Sequence, residues 1–117
     1  MTVLLAVLLG LARPPSAYLQ TAAGRVPLAV SSWCWGSRCE APIAKSSKQA
    51  LVSRGTTVRL ELGFVPSSVS VSVVGRPVSA TRSGHEVRFK PTQAGGLQVR
   101  AAGGRGWVVY VGRIALR

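Results

Sequence analysis

Alternation of apolar and polar residues dominates the second half of the chain. Residues 56–64 (TTVRLELGF) and 68–74 (SVSVSVV) place apolar side chains at every second position, and the pattern returns in 85–90, 97–101 and 107–113. A period of two is typical of β-strands that bury one face. No convincing amphipathic helix pattern follows residue 17. The sequence therefore predicts an all-β fold.

Glycine and proline divide these segments into short strands. With further segments near 26–32, 49–53 and 78–81, the pattern predicts seven to eight strands at spacings of about 8 to 13 residues. That arrangement favours an antiparallel β-sandwich, with an open barrel as the alternative. Residues 107–113 are apolar on both faces, which predicts a central strand. About 100 residues of this kind suffice for one domain.

The amino-terminal segment has the composition of a secretory signal. Residues 2–12 (TVLLAVLLGLA) are apolar and uncharged, but they are too few for a helix to span a bilayer of roughly 30 Å. Their length fits the core of a signal peptide. We predict a signal over 1–17, with residue 23 as the alternative end, a linker over 18–24 and one domain over 25–117. An uncleaved segment would anchor the protein to the membrane, and a buried helix is the remaining alternative.

The chain has two cysteines, Cys34 and Cys39, separated by four residues. In an exported protein such a pair favours a disulfide, which would stabilise the domain by about 2 kcal/mol for so short a loop. Free thiols and a metal or redox site are the alternatives. A zinc site needs four ligands, and only His85 could join the two thiolates.

Two tryptophans flank the first cysteine. On an extended strand Trp33 and Trp35 share one face, and Cys34 lies on the other. They could cover the core or the disulfide, or they could form an aromatic contact surface for a ligand. The first interpretation is favoured, because no partner set of exposed aromatic residues is evident.

The chain is strongly basic, with 15 Lys and Arg against three Glu and a formal charge of +12. Such a charge attracts polyanions. Outward positions of the predicted strands hold three arginines that could form one basic face: Arg59, Arg88 and Arg100. Three further residues could add a basic rim: Lys45, Lys48 and Arg54. An ordinary solvated surface is the alternative for both groups, and Glu61 and Glu86 would partly neutralise the face.

No catalytic constellation is evident. His85 is the only histidine and follows a glycine in a predicted turn, while Glu40, Glu61 and Glu86 lie far apart in the sequence. No phosphate-binding loop occurs, because the glycines fall in predicted β-turns. We predict that the protein is not an enzyme and binds no metal or cofactor.

Several motifs together resemble a known group of proteins. They are S-W-C-W followed closely by a second Cys, R-G-T-T-V-R-L-E-L at 54–62, and G-W-V-V-Y-V-G-R-I at 106–114. Over residues 25–116 the chain is similar to small exported Gram-positive, actinobacterial-type proteins and lipoproteins of uncharacterised function. The resemblance implies an immunoglobulin-like sandwich and no particular activity. Unlike the lipoprotein members, this chain has no anchoring cysteine after the signal.

Charge, export pattern and fold favour a binding or accessory domain of the cell envelope. Anionic wall polymers or a membrane surface would be its partners. The first alternative is a basic nucleic-acid-binding protein, although no known binding motif is present. The second is a protease inhibitor that presents the Cys34–Cys39 loop with Arg38 at its tip.

Overall fold

A computed structural model describes residues 13–42 and 48–117, which form strands joined by turns and short loops. The strands are β1 (Ala17–Thr21), β2 (Gly24–Pro27), β3 (Ala29–Trp35), β4 (Arg38–Glu40), β5 (Gln49–Val52), β6 (Val58–Leu62), β7 (Ser68–Val73), β8 (Arg76–Val78), β9 (Ala80–Ser83), β10 (Glu86–Phe89), β11 (Gly95–Gly103) and β12 (Gly106–Leu116). This part of the chain contains no helix, and the predicted all-β class is confirmed.

The strands form two sheets. One sheet has the order β2-β1-β6-β10-β9, and the other has the order β4-β3-β12-β11-β7-β8, with β5 added beside the end of β12. Among the described strands every pairing is antiparallel except that of β5 with β12. Buried side chains of both sheets belong to one apolar cluster. The sheets therefore face each other across a shared core, as in a sandwich.

The alternating residues determine which face of each strand is buried. Val58, Leu60 and Leu62 of β6 lie in the core, while Arg59 is exposed and Glu61 is half-buried. Most predicted inward residues of the other alternating strands are buried in the same way, and Val69 is half-buried. The buried ones are Val71, Val73, Val87, Phe89, Leu97 and Val99. Burial of such side chains contributes roughly 1.5–3 kcal/mol each.

Strand β12 is central in its sheet, as its apolar residues on both faces predict. It pairs with β11 on one side and with β3 and then β5 on the other. Val108 and Tyr110 are buried in the core, and Val109 is buried on the outer face. Val109 pairs with Ser32 and Tyr110 pairs with Val30, so the intervening Ser31 forms a β-bulge in β3.

The strand count was underestimated. Four short elements were not predicted as separate strands, namely β1, β2, β4 and β8, which have three to five residues each. Residues 18–24, expected as a linker, instead form most of β1 and its turn to β2. Strand β1 lies between β2 and β6, with Leu19 in the core. Only Ala17 and Leu19 of this strand are buried. Two alternating positions are too few to distinguish a strand from a linker in the sequence.

The residues just before β1 are also part of the fold. The buried Tyr110 hydroxyl donates a hydrogen bond of 2.6 Å to the carbonyl oxygen of Pro15, and the Gly63 N–H donates one of 3.0 Å to Ser16 O. Burial raises the pKa of Tyr110 well above its usual value, so the hydroxyl remains a donor at alkaline pH where an exposed tyrosine would ionise. The domain therefore begins before the predicted cleavage position at Ala17.

The predicted signal core, residues 2–12, lies outside the described residues. Within the described residues there is no helix of the length and hydropathy needed to cross a membrane.

A strained backbone position closes the β7–β8 hairpin. Val74 has a φ of 52° and Gly75 a φ of 74°, which are the angles of a two-residue type I′ turn. Asparagine is favoured at the first of these positions, whereas a β-branched residue is unfavourable there. Val74 is also 57% exposed, so its side chain contributes little packing.

We therefore expect Val74→Asn to stabilise the protein by about 1 kcal/mol, raising the thermal midpoint by several degrees. The matched control is Val65→Asn, because Val65 is 67% exposed and has no positive φ. Thermal unfolding followed by circular dichroism measures both variants. Equal midpoints for the two would show that the turn is not strained by its valine.

Candidate functional site

Two of the three predicted surface arginines lie side by side. Arg59 of β6 and Arg88 of β10 are direct cross-strand partners, and both point outward because their neighbours Leu60 and Val87 are buried. Cβ atoms of such partners are about 4.5–5.5 Å apart. The five-stranded sheet thus presents two adjacent guanidinium groups on its outer face.

Arg100 does not join them, so the predicted three-arginine face is wrong. The chain crosses to the other sheet between β6 and β7, and β11 pairs only with β7 and β12. Arg100 lies on the outer face of that second sheet, with its guanidinium carbon 5.1 Å from the centre of the Trp107 ring. This distance indicates a cation–π contact.

Acidic residues neutralise part of the five-stranded sheet. Glu86 accepts a hydrogen bond of 2.7 Å from Nε of Arg88, and Glu61 lies 3.5 Å from an Arg25 nitrogen. The hydrogen bond from Arg88 holds the pKa of Glu86 below its usual value, so this carboxyl stays charged at neutral pH. Among the described residues, Arg59 has no carboxylate within salt-bridge distance.

A cleft of about 630 Å³ opens beside the two arginines. Its walls come from the β1–β2 turn, the connection from β5 to β6, and the end of β12. The polar side chains that line it include Arg59, Arg88, Arg117, Ser53 and Thr57. No carboxylate side chain is among the described residues that line it.

The predicted basic rim is only partly described. Lys48 and Arg54 are exposed on either side of β5, and the main-chain N–H of Arg54 lies 3.4 Å from Arg117 O. Neither side chain lines the cleft. Lys45 lies outside the described residues.

Both tryptophans of the cysteine segment are buried. Trp33 and Trp35 are 4% and 5% exposed, and the Trp35 ring meets Phe64 edge-on at 5.0 Å between centroids. In this conformation Trp33 and Trp35 therefore cannot form an exposed aromatic contact surface for a ligand. Burial in the core, the favoured interpretation, agrees with their position on the inner face of β3.

The predicted disulfide between Cys34 and Cys39 is confirmed. The two residues are direct partners in the β3–β4 hairpin, on the face opposite the tryptophans. Arg38 follows the turn rather than standing at its tip. Its guanidinium lies 3.4 Å from a Glu40 oxygen and about 6.0 Å from the centre of the Trp33 ring. The Arg38 side chain, which a protease inhibitor of this kind would insert into the protease, is thus already in contact with neighbouring residues of its own hairpin.

His85 is exposed in the turn before β10. No group of three or more His, Cys, Asp or Glu side chains that could hold a metal ion occurs among these residues.

Comparisons with known proteins leave the chain without a match: no family model, no curated protein and no solved structure is similar to it.

Three residues of the cleft were missed at the level of sequence. Ser53, Thr57 and Arg117 reach it because β5 pairs in parallel with the end of β12. These segments are about 60 residues apart in the chain, and local periodicity carries no information on such a pairing. No motif in the sequence indicates the cleft.

Proposed function

We propose that this chain is an exported, non-enzymatic binding domain of the bacterial cell envelope, an immunoglobulin-like sandwich held by charge to anionic polymers. The observation that carries this proposal is that every acidic side chain already has a partner. The three ion pairs are Arg25–Glu61, Arg38–Glu40 and Arg88–Glu86. Since the chain has 15 basic and three acidic side chains, its basic groups outnumber the carboxylates that could neutralise them by twelve.

Two further observations support the envelope as the place of action. The apolar segment 2–12 has the pattern of an export signal. A disulfide links Cys34 to Cys39, and disulfides persist in oxidising compartments outside the cytoplasm.

Salt-dependent attachment to isolated cell walls tests the proposal. We expect the purified protein to sediment with Gram-positive walls at low ionic strength and to be released as sodium chloride rises, because salt screens exposed charges. Walls from which the anionic polymers have been extracted serve as the control and should bind far less. Attachment that is unaffected by salt, or equal on extracted walls, would overturn the electrostatic mechanism. Filter binding of duplex DNA over the same salt series tests the nucleic-acid alternative, since phosphate contacts give a steep salt slope.

A further inference from the structure

The repulsion between Arg59 and Arg88 is only partly offset by Glu86, which pairs with Arg88 and whose pKa the charge of Arg59 also lowers. The two residues face each other across neighbouring strands, and like charges in that position are destabilising. Glu86 occupies only Nε of Arg88, which leaves the two terminal nitrogens of this guanidinium available. Arg59 has no carboxylate partner in the described part of the chain. An anion bound between the two guanidinium groups would remove the repulsion.

Hydroxyl groups in the cleft add uncharged donors. Thr56 donates a hydrogen bond of 2.6 Å to Ser53 O, and Thr21 donates one of 3.1 Å to Gly24 O. The protons of these two hydroxyls are therefore already used within the turns. The side chains of Ser53 and Thr57 make no such bond within the described residues. Arginine forks and hydroxyls together match the oxygen atoms of a phosphate group.

The cleft is larger than an inorganic ion requires. Its volume of about 630 Å³ falls within the range of about 300–1,000 Å³ that is common for sites of small organic ligands. Ala22, Ala23 and Leu51 supply apolar side chains to the same walls. These side chains suit the organic group to which a phosphate is attached.

We propose that the cleft beside Arg59 and Arg88 binds a phosphate group carried on a small alcohol or sugar, such as one repeating unit of an anionic wall polymer. This inference rests on the proposed function and names the group that the domain recognises. The two arginines hold the phosphate oxygens, and Ser53 and Thr57 donate from the connection between β5 and β6. The net charge of the whole chain, +12, then strengthens attachment without selecting the ligand.

Titration of the full chain with three probes tests the site and its source of phosphate. The probes are inorganic phosphate, glycerol 1-phosphate and vesicles containing phosphatidylglycerol, all at one ionic strength maintained with sodium chloride. We expect glycerol 1-phosphate to bind most tightly, because its organic part reaches the apolar wall. Tighter binding of the vesicles, with the same dependence on Arg59, would support the site and assign the phosphate to a lipid headgroup.

Three variants separate recognition from net charge. Arg59→Gln should weaken binding of glycerol 1-phosphate at least about tenfold, the scale of a charge-assisted hydrogen bond. Arg100→Gln removes the same charge from the other sheet and should change binding by less than about twofold. Glu86→Gln should strengthen binding roughly threefold, the scale of one exposed ion pair, because it removes the negative charge beside Arg88.

Thermal unfolding in sodium chloride alone provides a control for folding. Arg59→Gln should have a midpoint close to that of the parent protein, since the lost repulsion from Arg88 and the lost attraction to Glu86 oppose each other. Equal weakening by Arg59→Gln and Arg100→Gln, or no binding of any probe by the parent protein, would overturn the site. Salt-dependent attachment to walls could still hold in that case, so this failure is distinguishable from failure of the proposed function.

Discussion

Gly106→Ala will destabilise the protein by more than about 3 kcal/mol, whereas Gly104→Ala in the same turn will change its stability by no more than about 0.5 kcal/mol. Gly106 begins β12 with a φ of 154°, and its backbone runs against β3. A Cβ atom at this position would collide with the carbonyl oxygen of Cys34 and lie about 3.0 Å from Cα of Trp35. Both obstacles are main-chain atoms, which cannot rotate away as a side chain could.

The disulfide makes this collision harder to relieve. Cys34 is bonded to Cys39 across the β3–β4 hairpin, so the strand that would have to move is tied to its neighbour. Gly104 is the matched control, because a Cβ there would meet nothing within 4 Å and no positive φ applies. Urea unfolding of the two variants measures the difference. Similar midpoints would mean that β3 and β12 are not in close contact at Gly106.

A series of amino-terminal truncations should show the second large effect. A chain that begins at Arg13 should fold, one that begins at Tyr18 should lose about 2 to 4 kcal/mol, and one that begins at Gly24 should not fold. The first chain keeps Pro15 and Ser16. The second loses both acceptors, which leaves the buried Tyr110 hydroxyl without a partner at about 1–3 kcal/mol, whereas the exposed Gly63 N–H can bond to water. It also loses the buried Ala17, whose carbonyl oxygen accepts a hydrogen bond from the Leu28 N–H.

The third chain lacks the whole of β1. This strand lies inside the five-stranded sheet, pairs with β2 and β6, and buries Leu19. Loss of one buried leucine alone removes about 2–5 kcal/mol, which is comparable with the entire stability of many small domains. Circular dichroism and intact mass of each purified chain report the result. A cooperative transition in the chain beginning at Gly24 would contradict the placement of β1.

Period-two patterns were a sufficient guide where strands are long or well alternated. They identified the buried faces of β6, β10 and β11 and the central position of β12. They did not separate β1, β2, β4 and β8, because three to five residues provide at most two buried positions for a pattern. The sequence also does not show which glycines the fold requires. Gly104 and Gly106 look alike in the sequence, and only the pairing of β3 with β12 makes one of them necessary.

For the basic surface, too, the sequence predicted the direction of each side chain but not which side chains become neighbours. Alternation correctly placed Arg59, Arg88 and Arg100 on outward faces, since each has buried neighbours in its strand. Which outward residues become neighbours depends on strand order, and the crossing between β6 and β7 sends Arg100 to the other sheet. The cleft depends in addition on the parallel pairing of β5 with β12. Non-local pairing of this kind cannot be read from spacing along the chain.

Strand β12 also determines when the domain can mature during synthesis. It follows β3, β5 and β11 in the chain and pairs with all three, so none of them has its full set of neighbours until β12 has left the ribosome. Pairing of distant segments is slow, because the loop between them must first be closed. We therefore expect the nascent polypeptide to remain without a stable tertiary structure until β12 is available for pairing.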